Sequence, residues 1–412
     1  MTQPDGSVLD FPTTREEGWR YTPVDEIVAR LASATPASHA TAVTAVSRAD
    51  IDALAGGLGG PRLVLVNGIH DDELSDLDDL PGGLQCGIAG LPHCRTASGV
   101  AFAGFDGAVD GFLARNHAGS GDIAIVVVDA GAHIGVPLHI VHLAVAAPGS
   151  ATGTAVHPRT IIDVGVGGHA TVVETYCDLN GPVVTNASTS LHVGRDAELR
   201  HCRIQMESST AVHVGHTRVV QDEAARLRMT SVTIGGDVAR NAIDVLLDGQ
   251  GSQTDLDGLD LCIGRQRHDT VVTVDHASSR CASTQRFIGV VDDHGRSSFS
   301  GEIIVQPATV ATDAHQSNHN LILSVNAEAD SRPWLRIFAD DVRCTHGATV
   351  GRLDDEALFY LRSRGIPIDA ARAMLIDAFM ARVTDALPEG AVRDYVAGLV
   401  CTQRRVEQEL ST

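Results

Sequence analysis

The 412-residue sequence contains no lysine, and all 31 of its basic residues are arginines. A P-loop ATPase needs the lysine of its phosphate-binding loop, so this chain cannot carry that ATPase site itself. An enzyme that works through a Schiff base needs a lysine amine, so that class of covalent catalysis is excluded as well. The absence of one residue type therefore removes two large classes of enzyme.

Positive charge and uninterrupted apolar stretches are also scarce. The 31 arginines stand against 52 acidic residues, which gives a formal net charge of −21. Such a chain lacks the basic face of a nucleic-acid-binding protein and is repelled by anionic membranes. The first residues do not have the basic start and apolar run of a signal peptide. The most apolar region, residues 123–147, is interrupted by Asp129, Pro137 and three histidines. We therefore predict a cytoplasmic protein without a membrane span.

Cysteine and aromatic residues add two further constraints. No two of the eight cysteines are spaced as Cys-x-x-Cys, which argues against a disulfide framework and against a zinc knuckle. Aromatic residues make up only 4% of the chain, whereas glycine occurs 41 times. A core poor in rings must be filled by Val, Ile, Leu and Ala, which suits many short strands joined by tight turns.

A weak repeat begins at about residue 121, where short apolar runs alternate with Gly, Asp, Asn and His. Ala170, Ala197 and Ala225 occupy similar positions in it, 27 and 28 residues apart. A period of this length built from strands is typical of a solenoid, whose coils stack because none can bury its apolar face alone. We predict a parallel β-helix over residues 121–346. A large β-sandwich with irregular strands is the alternative.

Helical patterns flank this region on both sides. Residues 1–120 are predicted to form an N-terminal helical and mixed region, with a helix start at Thr22 and Pro23. Residues 347–412 are predicted to form a C-terminal helical domain. Its first helix ends at Gly365, its second is capped by Asp369, and a third lies around residues 392–400. Apolar stripes on such helices usually form a core and only sometimes a partner surface.

Cys344 and His346 are the pair of residues that most strongly suggests metal binding. Residues i and i+2 of a strand point to the same side, so this thiolate and this imidazole could bind iron or zinc together. Two ligands do not complete a metal site, so the remaining ligands would have to come from elsewhere, such as another chain. The alternative is a structural role, which is the usual one for a single Cys or His.

Two other polar segments invite a metal-binding interpretation. His315 and His319 lie four residues apart in a stretch that resembles strand and turn, so we expect a hydrogen-bonded ladder and not a metal site. The acidic residues 255–260 resemble a calcium loop but lack the full ligand series and the closing Glu. We predict a turn between two coils there.

The sequence contains no Gly-x-Ser-x-Gly elbow, no dinucleotide fingerprint and no His-Glu-x-x-His. It therefore shows no self-contained active site. A stand-alone β-helix enzyme that cleaves polysaccharides is one alternative, but it needs paired carboxylates or an arginine base and usually a signal peptide. A purely structural subunit without any ligand is another.

Several motifs together resemble the SufB/SufD family of iron–sulfur cluster assembly scaffold proteins. They are residues 340–351 (DDVRCTHGATVG), 358–366 (LFYLRSRGI), 17–23 (EGWRYTP), 301–305 (GEIIV), 313–316 (DAHQ) and 321–324 (LILS). The matches extend from residue 17 to about residue 380 and so cover nearly the whole chain. Gly347 stands where the SufB branch carries Glu, which makes the chain similar to the SufD branch. A SufB-type paralogue, which would hold the nascent cluster more directly, is the alternative.

This resemblance implies a non-catalytic subunit with a right-handed parallel β-helix core and helical regions at both ends. It implies that the end of the β-helix pairs with SufB and that the C-terminal helices dock onto SufC, an ABC-type ATPase. A transient iron–sulfur cluster shared with SufB would form at that end, with His346 as the main candidate ligand and Cys344 as the weaker one. A reduced flavin at the level of the complex and a homodimer of the isolated chain are further expectations. The candidate residues for the SufC contact are Leu358, Phe359, Tyr360 and Arg362.

Overall fold

Strands dominate the chain, and helices lie near both ends. A computed structural model describes residues 10–37, 46–89, 110–147, 149, 151–387 and 389–410, with side chains described as far as residue 402. The helices are α1 (Val24–Ser33), α2 (Arg48–Ala55), α3 (Gly111–Gly119), α4 (Asp355–Ser363), α5 (Ile368–Thr384) and α6 (Ala391–Leu410), with a 3-10 turn over Glu17–Trp19. The strands are β1 (Thr35–Pro36), β2 (Arg62–Val66), β3 (Ile69–His70), β4 (Leu84–Ile88), β5 (Ile123–Val128), β6 (Leu138–Val145), β7 (Thr154–Val156), β8 (Arg159–Val164), β9 (His169–Leu179), β10 (Val183–Val193), β11 (Glu198–Gln205), β12 (Val212–Gln221), β13 (Arg226–Thr233), β14 (Val238–Leu247), β15 (Gln253–Cys262), β16 (Arg267–His276), β17 (Ala282–Val291), β18 (Arg296–Val305), β19 (Thr312–Ile322), β20 (Glu328–Ile337) and β21 (Val342–Gly351).

Successive strands alternate between two sheets. The first, called here the β20 sheet, runs in the order β20-β18-β16-β14-β12-β10-β8-β5-β4, with β1 and β7 beside that path. The second, called here the β21 sheet, runs in the order β21-β19-β17-β15-β13-β11-β9-β6-β2-β3. Pairing between strands from β5 to β21 is parallel. The chain is therefore a parallel β-solenoid flanked by helices, which confirms the predicted fold class, and the β-sandwich alternative is wrong.

The repeat found in the sequence is present, but its first register was misassigned. Ala170 pairs with Leu199 and not with Ala197, so these two coils are 29 residues apart. The next step pairs Leu199 with Leu227, which is the predicted 28 residues. Coils of unequal length stack because the extra residues are absorbed in the corner turns.

A column of aliphatic side chains explains how the core is filled with so few rings. Register pairing stacks one inward residue from each strand of the β20 sheet above the next: Val126, Ile162, Leu191, Val219, Val245, Val274, Ile303 and Leu335. The first seven members are at most 2% exposed. Branched side chains pack well on a pleated surface, and each one covers its neighbours above and below.

Helices cover the outer faces of both sheets. Ile376, Met380 and Val383 of α5 and Val396 of α6 pack on aliphatic residues of the β21 sheet, such as Ile204. Pro367 precedes α5 and Asp369 lies within its first turn, so the prediction that Asp369 caps this helix is wrong. Within the described residues, no helix is both long enough and apolar enough to cross a membrane.

Two observations concern the domain boundaries at residues 120 and 346, which stay predictions. The strand β2, from the N-terminal region, continues the β21 sheet by pairing in parallel with β6. The strand β21 extends to Gly351 and so crosses the second boundary.

The N-terminal motif EGWRYTP attaches the first helix to the β20 sheet. The guanidinium of Arg240 lies 3.6 Å from the centre of the Trp19 ring. Its Nη1 donates to Thr22 Oγ1 at 2.9 Å and to a carboxylate oxygen of Asp269. Arg240 and Asp269 are only 3% and 5% exposed, so this is a buried ion pair. Ser298 Oγ donates to the other carboxylate oxygen of Asp269 at 2.6 Å.

Charged groups also lie inside the solenoid, between the two sheets. Arg203 Nη2 donates to His213 Nε2 at 2.6 Å, and His213 Nδ1 donates to Glu207 Oε2 at 2.7 Å. All three residues are at most 2% exposed. Burial raises the pKa of Glu207, but His213, Thr185 and Gln205 outweigh burial and hold that pKa below its ordinary value.

A second buried carboxylate, Glu174, lies close to this triad. It accepts hydrogen bonds from Thr189 at 2.9 Å and 3.1 Å, and His142 Nε2 is 3.2 Å away. His201 Nε2 lies 3.4 Å from the other carboxylate oxygen. Burial raises the pKa of Glu174, but the two histidines outweigh it and hold that pKa well below its ordinary value. The carboxylate therefore stays ionised inside the solenoid.

Candidate functional site

The solenoid has an open end, formed by its last two strands. β20 and β21 each stand at the edge of their sheet, with a strand neighbour on one side only. No residue of either strand is buried, whereas β18 and β19 just beneath them are largely buried. Unpaired backbone groups and uncovered core side chains are therefore exposed together at this end.

Cys344 and His346 both lie on the inner side of this terminal coil. Their register partners on β19 are Ala314 and Gln316, which are 0% and 3% exposed and belong to the interior. Side chains of residues paired in register point to the same face of a sheet. Cys344 also packs beside Ala314 at the end of an apolar cluster. The two candidate ligands thus share a face, and among the described strands no further coil covers them.

The pair is half of a metal site at most. Within the part of the chain that the structure describes, no group of three or more His, Cys, Asp or Glu side chains could hold a metal ion. Burial raises the pKa of the Cys344 thiol, and the nearby Asp313 raises it further. An incoming cation would favour the thiolate and so oppose both effects. Thiolate sulfur and imidazole nitrogen are both accepted ligands of iron, so the donor types fit such a cargo.

The histidines of β19 lie on the opposite, outer face of the same sheet. His315 Nδ1 is 2.7 Å from Thr345 Oγ1, and His319 Nδ1 is 2.7 Å from Thr349 Oγ1. The predicted ladder of hydrogen-bonded polar side chains is therefore confirmed. The ladder crosses from β19 to β21, so it helps to hold the terminal strand in register.

The acidic segment at residues 255–260 lies within β15, so the prediction of a turn there is wrong. Asp257 accepts two hydrogen bonds from the Arg286 guanidinium, at 2.7 Å and 3.1 Å. Asp255 and Asp257 line a cleft of about 310 Å³ beneath the loop that joins α5 to α6. In the sequence these acidic residues resemble a calcium loop, because the arginine that pairs with Asp257 is not nearby. It lies 29 residues further on, in the next coil.

The helix α4 presents aromatic residues to the solvent. Phe359 is 74% exposed and Tyr360 is 56% exposed, while Leu358 is half-buried and Arg362 is exposed. No residue of this helix is buried. Single exposed apolar residues are common, but a helix that buries none of its residues and exposes two aromatic rings is a candidate surface for a partner protein.

Sequence reasoning missed the charged groups inside the solenoid. Glu174 and Arg203 lie in strands whose two faces are both buried, one by the opposite sheet and one by the C-terminal helices. A strand that is buried on both faces does not alternate between apolar and polar residues, so its sequence does not show which side chains point into the solenoid. The only signal in the sequence is a charged residue in the middle of a strand, and on its own that signal also fits a solvated face.

Comparison with known proteins identifies a family to which this chain is similar. Residues 147–379 match the family model described as SUF system FeS cluster assembly, SufBD core domain. The chain is 32% identical over 390 residues to the iron–sulfur cluster assembly protein SufD of Escherichia coli, and the match covers 94% of this chain and 88% of that protein.

Two further relatives come from Synechocystis and Arabidopsis thaliana. The chain is 29% identical to an iron–sulfur cluster assembly SufBD family protein of Synechocystis, over 94% of this chain and 87% of that protein. It is 28% identical to a chloroplastic protein of Arabidopsis thaliana, over 82% of this chain and 73% of that protein. The family model covers more than half of this chain and includes the open end with Cys344 and His346.

Proposed function

Because the chain belongs to the SufB/SufD family of iron–sulfur cluster assembly proteins, as a SufD-type member, we propose that it is the non-catalytic SufD subunit of a scaffold that also contains SufB and SufC. The observation that carries this proposal is the open end of the solenoid, where the two candidate metal ligands Cys344 and His346 lie uncovered on the inner side of the terminal coil. A partner that closes this end would supply the missing ligands.

In this proposal SufB pairs with the terminal coil. The edges of β20 and β21 offer unused backbone donors and acceptors, which a strand or loop of a partner can satisfy. The nascent cluster is the cargo of the assembly and forms between the two subunits. His346 contributes one ligand from this side, and Cys344 contributes a second, weaker one.

Nucleotide chemistry belongs to SufC, since a chain without lysine cannot hold a P-loop. We propose that SufC docks on α4 through Leu358, Phe359, Tyr360 and Arg362. The reduced flavin that the resemblance implies is assigned to the complex as a whole and not to this chain. The assembly would work in the cytoplasm, where thiols stay reduced.

Replacing His346 with alanine is expected to leave the complex intact and to lower its cluster content at least about tenfold, because even the loss of a residue that only orients a ligand costs about 10- to 100-fold in metal affinity. The chain is co-expressed anaerobically with its SufB and SufC partners, and iron and acid-labile sulfide are measured per purified complex. His294→Ala is the matched control, because this exposed histidine lies in the turn between β17 and β18, outside the terminal coil, and should leave the cluster content unchanged.

An unchanged cluster content in His346→Ala would mean that His346 is structural and that this chain only supports SufB. If the wild-type chains do not form a complex at all, the proposed pairing itself fails.

Replacing Phe359 with aspartate is expected to weaken the contact with SufC by about 2 kcal/mol or more, roughly 30-fold in affinity, as for an aromatic anchor at an interface. The ring is 74% exposed, so the chain itself should keep its stability. The measurement is the dissociation constant with purified SufC by calorimetry. Val166→Asp is the control, because Val166 is 45% exposed but lies in the turn between β8 and β9, far along the solenoid. Equal affinity of Phe359→Asp and wild type would place the SufC contact elsewhere.

A further inference from the structure

We propose that Gln316 is the positioning residue of His346. The structure leaves the carboxamide oxygen of Gln316 without a partner among the described residues. In this proposal that oxygen accepts a hydrogen bond from one imidazole N–H of His346, so the other ring nitrogen presents its lone pair to the open end. This inference rests on the proposed function, in which His346 contributes a ligand to the shared site.

The register makes the two residues direct neighbours on adjacent strands. Gln316 on β19 pairs with His346 on β21, and both point to the inner side of the solenoid. Neighbouring strands lie about 4.8 Å apart, so side chains paired in parallel register stack directly on one another. Amide side chains stacked in this way form hydrogen-bonded ladders along a sheet.

Such a ladder is already present and ends beneath His346. Gln316 Nε2 donates to Gln285 Oε1 of the preceding coil at 3.0 Å. Gln316 is 3% exposed, and among the described residues its Oε1 has no hydrogen-bond partner. Buried polar atoms are rarely left without a partner. The unused acceptor therefore belongs to the residue that is paired in register with His346, whose ring carries an N–H donor.

The opposite sheet leaves room for this amide. Gly301 on β18 faces the Gln316 side chain, and a Cβ at Gly301 would lie 1.7 Å from Gln316 Nε2. Any other residue at 301 would push the amide away from its present position. The motifs GEIIV and DAHQ, which are separate in the sequence, thus meet at one point of the interior.

The arrangement has a clear chemical use. The two nitrogens of an imidazole are distinct, and the hydrogen bond made by one decides whether the other is free to bind a metal. Histidines that bind metals almost always donate their second N–H to a fixed acceptor, which sets the tautomer and the ring orientation. Gln316 would fulfil this role without adding charge at the opening.

The test uses the full-length chain labelled with ¹⁵N-histidine, at about pH 9, where an imidazole of ordinary pKa is neutral. Long-range ¹H–¹⁵N spectra report the tautomer, and His346→Gln identifies the His346 signals by their loss. We expect one dominant tautomer of His346 in the wild type and averaged ring nitrogens in Gln316→Leu. Gln316→Glu keeps an acceptor and should restore a single tautomer.

Asn318→Leu is the matched control, since Asn318 is an inward amide of the same strand but lies opposite Ala348. It should leave the His346 signals unchanged, whatever it does to the stability. Gly301→Ala should perturb those signals in the same direction as Gln316→Leu.

Identical His346 signals in wild type and Gln316→Leu would overturn the proposal, and so would averaged signals in the wild type. If both amides of the ladder were reversed, Gln316 would donate to the ring; Gln316→Glu would then not restore the tautomer, and the proposal would also fail. In the co-purified complex, we expect Gln316→Leu to lower the cluster content about tenfold and Gln316→Glu to retain it. The tautomer is read without any cluster, so failure of this inference is distinguishable from failure of the scaffold function.

Discussion

Replacing Arg240 with methionine is expected to destabilise the docking of the N-terminal region by about 3–5 kcal/mol, the usual cost of removing one partner of a buried ion pair. The substitution leaves Asp269, which is 5% exposed, with hydroxyl donors but without its arginine partner. It also removes the guanidinium that stacks on Trp19. Both effects act on the same element, the segment that leads into α1.

The measurement is hydrogen exchange of Val24–Ser33, which reports opening of this helix without unfolding of the solenoid. Arg228→Met is the matched control, because the Arg228 side chain is 56% exposed and reaches its nearest acid, Asp255, only at 4.0 Å. It should change stability by less than about 0.5 kcal/mol. The double variant Arg240→Met with Asp269→Leu should recover most of the loss. Equal protection of α1 in Arg240→Met and wild type would show that the ion pair does not hold the helix.

Replacing Arg203 with methionine is expected to lower the stability of the solenoid by a similar amount, about 3–5 kcal/mol. Arg203 is 2% exposed and hydrogen-bonds through His213 to Glu207, so its loss leaves a buried carboxylate without that counter-charge. Gly215 opposes the guanidinium, and a Cβ at that position would lie 2.5 Å from Arg203 Nη2. The interior is thus shaped around this side chain.

Urea unfolding followed by far-ultraviolet circular dichroism measures the effect as a shift of the midpoint. Arg200→Met provides a control on the same strand, since that side chain is 40% exposed and pairs with Glu198 on the outer face. It should cost no more than about 1 kcal/mol. Midpoints that shift equally in the two variants would contradict the importance of the buried group.

Features set by local periodicity could be predicted from the sequence. The outer ladder of His315 and His319 follows from the alternation of side chains along a strand, and it is present. The same alternation places Cys344 and His346 on one face. The solenoid itself follows from recurring short strands, since such strands have to stack to bury their apolar faces.

Features set by the stacking of coils could not be predicted. The register of Ala170 was misassigned because small residues recur at several positions of a coil. The ion pair of Asp257 with Arg286 and the hydrogen bond of Gln316 to Gln285 join residues about one coil apart in sequence. Coil length varies with the corner turns, so the sequence alone does not say which residues become neighbours.

The open end has a consequence for dynamics. Stability in a solenoid is approximately a sum of nearest-neighbour terms, and the last coil has a neighbour on one side only. Thermal fraying should therefore start at β20 and β21, in the coil that carries Cys344 and His346. A protein that docks there becomes the missing neighbour. Binding of the partner and ordering of Cys344 and His346 then draw on the same free energy. A substitution that weakens the partner's affinity should therefore also loosen the coil that carries these candidate ligands.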